Sequence, residues 1–281
     1  MLLTMNRVLP IGLPNFGNTC WFNSLLQALA SSKNFCLMLA NLSISGQQPF
    51  TEGLEKVMAC LLSNDMFNCR SVLLNFLRGL NWSKGMPEDS SEAFLWLVEC
   101  LHNEHSKTSA FSEHPIMIEL NKHNSNKTSP IYQLAQGCAG WITSDKEQRY
   151  EPFLTFFLEW AEVENGMQNI TKCLEKTFAS KQIVMMPRML VICFDRCPSH
   201  IRFIVTQQFS LYTPDNKTIQ YSLKAMVIHI GSLAGGHYVS YGNRNGEWYI
   251  FDDDRVSKIL QHNIVLNDVP RLLIYDVVSS L

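Results

Sequence analysis

With 281 residues, 46% hydrophobic and 17% charged, and 23 Lys+Arg against 25 Asp+Glu, the chain carries a formal charge of only -2. That balance excludes an intrinsically disordered polymer and disfavours nucleic-acid binding through bulk positive charge. A chain of this length buries about three quarters of its unfolded surface, so no disulfide or structural metal is needed to hold it together.

The first fourteen residues contain no sustained apolar core ending in a small-residue cleavage site. No uncharged stretch reaches the ~18 residues of a membrane span, so neither secretion nor membrane insertion is expected. Apolar positions at three- and four-residue spacing predict helices over 21–29, 54–62, 72–80 and 93–101. A polar stretch follows over 102–130, where Asn121, Asn124, Ser125, Asn126, Lys127 and Thr128 crowd together, and it predicts a long loop at the joint between two halves. His102 and His105, at the end of the fourth helix, read as surface histidines. Past the joint, short runs rich in β-branched and aromatic residues predict strands at 152–159, 189–194, 203–209, 223–230, 237–241, 248–251 and 272–277. One helix, about 170–178, interrupts them. No internal repeat is visible, and the class is α+β.

Nine cysteines, Cys20, Cys36, Cys60, Cys69, Cys100, Cys138, Cys173, Cys193 and Cys197, are odd in number and irregularly spaced. They read as reduced thiols of an intracellular protein, cytoplasmic or nuclear. Sequons at Asn41, Asn81, Asn126, Asn169 and Asn216 are accordingly taken as chance matches. Phosphate-loop, dinucleotide and nucleophile-elbow signatures are absent, as are CxxC and HExxH. Cys193, Cys197 and His200 come nearest to a metal cluster. Cys193 lies in an apolar run and reads as a buried thiol, so neither metal nor cofactor is expected.

Chemistry concentrates in two segments. In the first, a Gly- and Asn-rich turn, Gly12-Leu13-Pro14-Asn15-Phe16-Gly17-Asn18-Thr19, feeds Cys20 into an apolar-periodic helix. A thiol at the positive end of a helix dipole is expected to favour the thiolate, and Asn15 and Asn18 put amide donors beside it. The competing reading is a small residue packed at a helix start. In the second, Gly235-Gly236-His237-Tyr238-Val239-Ser240-Tyr241 and Trp248-Tyr249-Ile250-Phe251-Asp252-Asp253-Asp254 flank a polar turn and predict a β-hairpin. A four-residue loop at 243–246 would set His237 opposite Asp252; a tight Asn245-Gly246 turn would set it opposite Asp254. Thiol, imidazole and carboxylate are the three parts of a cysteine hydrolase.

These two segments resemble the Cys and His boxes of the ubiquitin-specific proteases, papain-like cysteine peptidases with a thumb, palm and fingers layout. Met186-Pro187-Arg188-Met189-Leu190 resembles a Leu-Pro-x-x-Leu strand between the boxes, so the likeness spans about 11–277. It implies a single catalytic domain over 1–281, with a helical thumb at about 11–115 and a β-rich palm and shortened fingers at about 129–281. It further implies Cys20 as nucleophile, His237 as general base, Asp252 as orienting acid, Asn15 as oxyanion-hole donor and Asp253 as a second acid or a solvated loop carboxylate. Asp89 and Glu92, in the altered middle motif Pro87-Glu88-Asp89-Ser90-Ser91-Glu92, would hold the arginines of a ubiquitin tail or simply cap a helix. Tyr238 would bound a channel too narrow for side chains beyond Gly-Gly. The expected partner is ubiquitin or ubiquitinated protein, with no nucleic acid or membrane, and the chain a monomer. The implied activity is isopeptide hydrolysis; a SUMO or NEDD8 protease, or a ubiquitin-binding pseudo-protease, are the alternatives. The zinc-holding CxxC pairs of many members are missing.

Overall fold

The computed structural model describes residues 9–43, 46–80, 89–159, 161, 167–194, 202–212, 218–232, 235–259, 265–266 and 270–278. Helices α1 (Cys20–Leu29), α2 (Lys33–Ala40), α3 (Pro49–Ser63), α4 (Met66–Gly79), α5 (Ser90–His105), α6 (Pro115–His123) and α7 (Pro130–Ala135) occupy the first half. α8 (Ile170–Ser180) stands among the strands. The four helices expected over 21–29, 54–62, 72–80 and 93–101 are all present, each beginning before its apolar stripe.

All ten residues of α1 are buried, since the helix runs between α5 and the sheet and needs no solvated face. Helices α2, α4 and α7 carry side-chain caps readable in the sequence. Ser32 accepts from the Phe35 amide, Asp65 from Asn68, and Ser129 from Tyr132.

The polar stretch 102–130 is not a long loop, and its place as a joint without structure is corrected. α5 continues to His105, α6 begins at Pro115, and Lys107–Thr108 pairs with Lys127–Thr128. Asparagine side chains do the tying, with Asn121 donating to the Ala110 carbonyl at 3.2 Å and Asn124 paired with Gln136 through both amides. His102 is not on the surface either. It stacks on Tyr132 with centroids 3.9 Å apart and bonds Ser129 through Nδ1 at 2.8 Å.

The main sheet has eight strands: β1 (Phe156–Leu158), β2 (Met189–Phe194), β3 (Gln208–Tyr212), β4 (Thr218–Ser232), β5 (Gly235–Arg244), β6 (Glu247–Asp252), β7 (Arg255–Ile259) and β8 (Pro270–Val277). Their order is β7-β6-β5-β4-β8-β2-β1, with β3 also against β4. Every pairing is antiparallel except β1 with β2. β2 is buried at every position because its faces enter different cores. Met189, Val191 and Cys193 meet the helices, whereas Leu190, Ile192 and Phe194 join α8, Phe156 and Tyr221 beyond the sheet. A smaller sheet sets Gly137–Ile142 between Gln148–Phe153 and Gln182–Met185.

Cys173 and Cys193 belong to these two separate cores, and Cys197 and His200 lie outside the described residues. So do Asn81 and Asn216, together with Pro87 and Glu88. All eight cysteines among the described residues are free thiols. None of the described helices is long and apolar enough to cross a membrane.

Candidate active site

Asn15 organises the turn before α1. Its side-chain oxygen accepts from the Gly17 amide at 3.0 Å and the Thr19 amide at 3.1 Å, closing a loop in which Gly17 and Asn18 take left-handed backbone angles. The Trp21 indole then donates to the Asn18 carbonyl at 3.0 Å. Cys20 emerges as the first residue of α1, 4% exposed, where the helix dipole is positive.

The β5–β6 hairpin turns at Asn245 (φ 54°) and Gly246 (φ 86°), and Arg244 pairs with Glu247. The tight turn therefore sets the register, yet Asp252 and not Asp254 meets His237, which corrects the expectation that this register would select Asp254. The described pairing runs no further than Ser240 with Phe251, and β6 ends at Asp252 before the chain reverses through Asp253 (φ 52°) into β7. Continuing the register sets Asp252 opposite Val239, which makes His237 its diagonal neighbour on the same face.

His237 Nε2 and Asp252 Oδ1 are 2.6 Å apart, with side chains 40% and 42% exposed, open enough for substrate to reach. A carboxylate only accepts, so Nε2 carries the hydrogen and Nδ1 is left as the basic nitrogen. Asp252→Asn is expected to cost about 10²–10⁴-fold in kcat and Asp254→Asn little, because only the first disturbs this tautomer. Equal effects in steady-state assays would refute the pairing.

Two chain segments far apart in sequence lock together around Asp253. The Leu13 amide donates to the Asp253 carbonyl at 2.8 Å. The Asp253 carboxylate accepts from Asn15 Nδ2 at 2.9 Å and from Asn23 Nδ2 at 2.7 Å. It is thus neither a freely solvated loop acid nor the direct partner of His237, although its oxygen, that of Asp252 and a His237 nitrogen lie within 4.8 Å of one another. No other trio of His, Cys, Asp or Glu among the described residues brings metal-type ligands so close. Asn23 Nδ2 also donates to the Pro14 carbonyl at 3.2 Å and the Leu13 carbonyl at 3.4 Å.

Asp89 is the N-cap of α5. It accepts from the Ser91 amide at 2.8 Å, from the Ser91 hydroxyl, and from the Tyr238 hydroxyl at 2.9 Å. Burial opposes its ionisation, but the bonds from Ser91 and Tyr238 and the charge of Arg271 outweigh it and hold the carboxyl below its usual range. The Tyr238 phenol is pushed up, first by burial and then by Asp89, and the Cys20 side chain also acts on it electrostatically. Cys20, Tyr238 and Asp89 therefore share one locality, while Glu92 stands exposed in the first turn of α5. Ser90 donates to the Trp21 carbonyl at 2.9 Å and fixes α5 against α1.

The arrangement is a cysteine opening a buried helix against a sheet that presents a His–Asp pair. The family model described as "Ubiquitin carboxyl-terminal hydrolase" matches residues 11–275, and the chain belongs to that family. It is 24% identical to Ubiquitin carboxyl-terminal hydrolase 23 of Arabidopsis thaliana, over 96% of this chain and 36% of that protein. With Ubiquitin carboxyl-terminal hydrolase 3 of Homo sapiens the identity is 22%, over 90% of this chain and 65% of that one. The chain thus spans about a third of the Arabidopsis protein. In fold it is similar to the solved Ubp8/Sgf11/Sus1/Sgf73 SAGA DUB module carrying Ubp8(S144N), with a TM-score of 0.73 at 20% identity, covering 99% of this chain and 70% of that one. For the module bound to ubiquitin aldehyde the TM-score is 0.70 at 18% identity, covering 96% and 70%.

Proposed function

We propose that the chain is a single catalytic domain, helical thumb against β palm, that hydrolyses the isopeptide bond after the C-terminal Gly-Gly of ubiquitin. The observation that carries this reading is the 2.6 Å bond from His237 Nε2 to Asp252 inside the family match, which leaves Nδ1 as the base for a thiol at the start of α1. Cys20 acts as nucleophile: its proton passes to His237 Nδ1 and its sulfur attacks the glycine carbonyl carbon. Asn15 Nδ2 carries two hydrogens and gives one to Asp253, so the amide is held while the second, with backbone amides, serves the tetrahedral oxyanion. Collapse breaks the C–N bond, His237 returns the proton to the departing lysine amine, and water releases the acyl group from sulfur.

Asp253 is a positioning acid in this scheme, acting through Asn15. Ubiquitin is the proposed partner; the monomeric state and an intracellular setting, supported by the free thiols, are parts of the same proposal. The solved ubiquitin-aldehyde complex of a similar fold supports the choice of modifier.

The test is covalent capture of Cys20 by ubiquitin bearing a C-terminal thiol-reactive warhead, run beside the SUMO and NEDD8 equivalents. Ubiquitin alone should react; a faster SUMO or NEDD8 reaction would reassign the modifier, and no reaction with any of the three would overturn the proposal. Glu92→Lys gives a finer measurement. If exposed Glu92 meets an arginine of the tail, the reversal should cost at least about tenfold in kcat/KM, consistent with ~1.5–3 kcal/mol per charge-assisted contact. That loss should shrink on a short Gly-Gly substrate and leave Tm nearly unchanged. Asp89, bonded to the cap and to Tyr238, should instead lower Tm when replaced by alanine.

A further inference from the structure

At the opposite end of α1 from Cys20, about 15 Å along the helix axis, lies a cleft of about 720 Å³ between the α1–α2 junction, the end of α3 and the β5–β6 turn. Three cations line it: Lys33 at the start of α2, Lys224 on β4 and Arg244 at the end of β5. The Arg244 guanidinium donates to the Gln27 carbonyl and to Gln27 Oε1, each at 2.9 Å, and to the Ser31 hydroxyl, and it lies 5.1 Å from the centroid of the Phe251 ring. Every one of those acceptors is uncharged. The three bonds use three of the five N–H groups of a guanidinium, so Arg244 is held in a fixed orientation with donors to spare.

The acids nearby are already engaged. Glu247, the one carboxylate lining the cleft, accepts from Lys258 Nζ and the Tyr249 hydroxyl, both at 2.7 Å. Asp276, whose charge is felt by Lys224, accepts from the Ser32 hydroxyl at 2.7 Å and the Asn34 amide at 3.3 Å. Burial lowers the Arg244 pKa to about 10, and the Cys36 side chain nearby acts in the opposite direction. The remaining wall is mixed, with Ala30, Leu61, Leu62 and the ring of Tyr249 apolar and Ser31, Cys36, Asn64, Asn243 and Asn245 polar.

We propose that this cleft binds a small organic phosphate, its phosphoryl group on Arg244, Lys33 and Lys224 and its body against Leu61, Leu62 and Tyr249. Three lining cations, one of them an oriented guanidinium, beside a single lining carboxylate already held by Lys258 and Tyr249 suit a phosphoryl group, and the volume suits a ligand of nucleotide or sugar-phosphate size. The site is separate from the reaction centre. Its physical link to that centre is Gln27, which receives Arg244 on its oxygen and donates Nε2 to the Ile11 carbonyl at 2.8 Å, just before the cysteine turn.

Calorimetric titration of the full chain with AMP and with inorganic phosphate, at matched ionic strength, tests the proposal. Both should bind saturably, AMP more tightly, and the Lys33→Ala/Lys224→Ala double variant should lose at least tenfold in affinity for each while keeping its Tm. Arg244→Lys, which keeps the charge but not the fork, should weaken both as well. No saturable binding, or equal affinity in the parent and the double variant, would overturn the site; inorganic phosphate binding as tightly as AMP would overturn the organic ligand.

Discussion

Cys20→Ala is expected to lower turnover of a fluorogenic ubiquitin substrate by at least about 10⁴-fold, while Tm and ubiquitin affinity stay close to those of the parent. The substitution removes one sulfur from a residue at the mouth of a helix that is otherwise fixed by its own buried length, so the helix has no reason to move. Nor should another thiol take over. Burial pushes Cys36, Cys69, Cys100 and Cys138 up to about 11, which leaves little thiolate at neutral pH, and Cys173 and Cys193 lie within packed cores. Substantial turnover by the alanine variant would sink the assignment of Cys20 as nucleophile.

A single methyl group at Gly12 should also be damaging, though less so. A Cβ there would sit 2.4 Å from the Asp253 carbonyl oxygen, 2.5 Å from the Asp254 carbonyl carbon and 2.6 Å from the Asp254 Cα. All three are backbone atoms, so nothing can swing aside, and the turn bearing Asp253 must back away from the segment leading to Cys20. The Leu13–Asp253 bond and the Asn15–Asp253 and Asn23–Asp253 bonds cross that same seam. Displacement by about 1 Å between catalytic groups is worth about 10²-fold in rate, so Gly12→Ala should lose about that in kcat/KM, with about 1–3 kcal/mol of stability. Unaltered kinetics in Gly12→Ala, with unaltered denaturant midpoints, would show that the seam does not need to be closed.

How much of this was legible in the sequence depends on whether the relevant pattern is local. β2 could be read to the residue because it is buried on both faces and forms an unbroken apolar run. β7 could not, since it is largely solvent-exposed and carries no alternation. α2, α7 and the strand Gln182–Met185 are short, and their burial comes from neighbours distant in the chain. The hairpin turn was left open between two registers that both begin with plausible turn residues; only the left-handed angles at Asn245 and Gly246 decide it. The structure pairs His237 with Asp252 by a diagonal reach on one face, whereas both registers read from the sequence relied on direct opposition. Asp253 escaped a definite reading since its two amide donors lie 238 and 230 residues away. The cap at Asp89, by contrast, follows from four adjacent residues, and the sequence offered it openly.

The position of β8 bears on how the molecule comes into being on the ribosome. Residues 270–277 are translated after every other strand of the sheet, yet they insert between β4 and β2 near its middle. Until they emerge, β4 and β2 each present a bare hydrogen-bonding edge, the hydrophobic layers on both faces lack Leu272, Leu273, Ile274 and Tyr275, and the closing pairings are long-range, as between Leu272 and Cys193. A nascent chain therefore displays the cysteine turn long before it owns a completed palm. The sheet closes only when this strand emerges, and until then both neighbouring edges are open to mispairing.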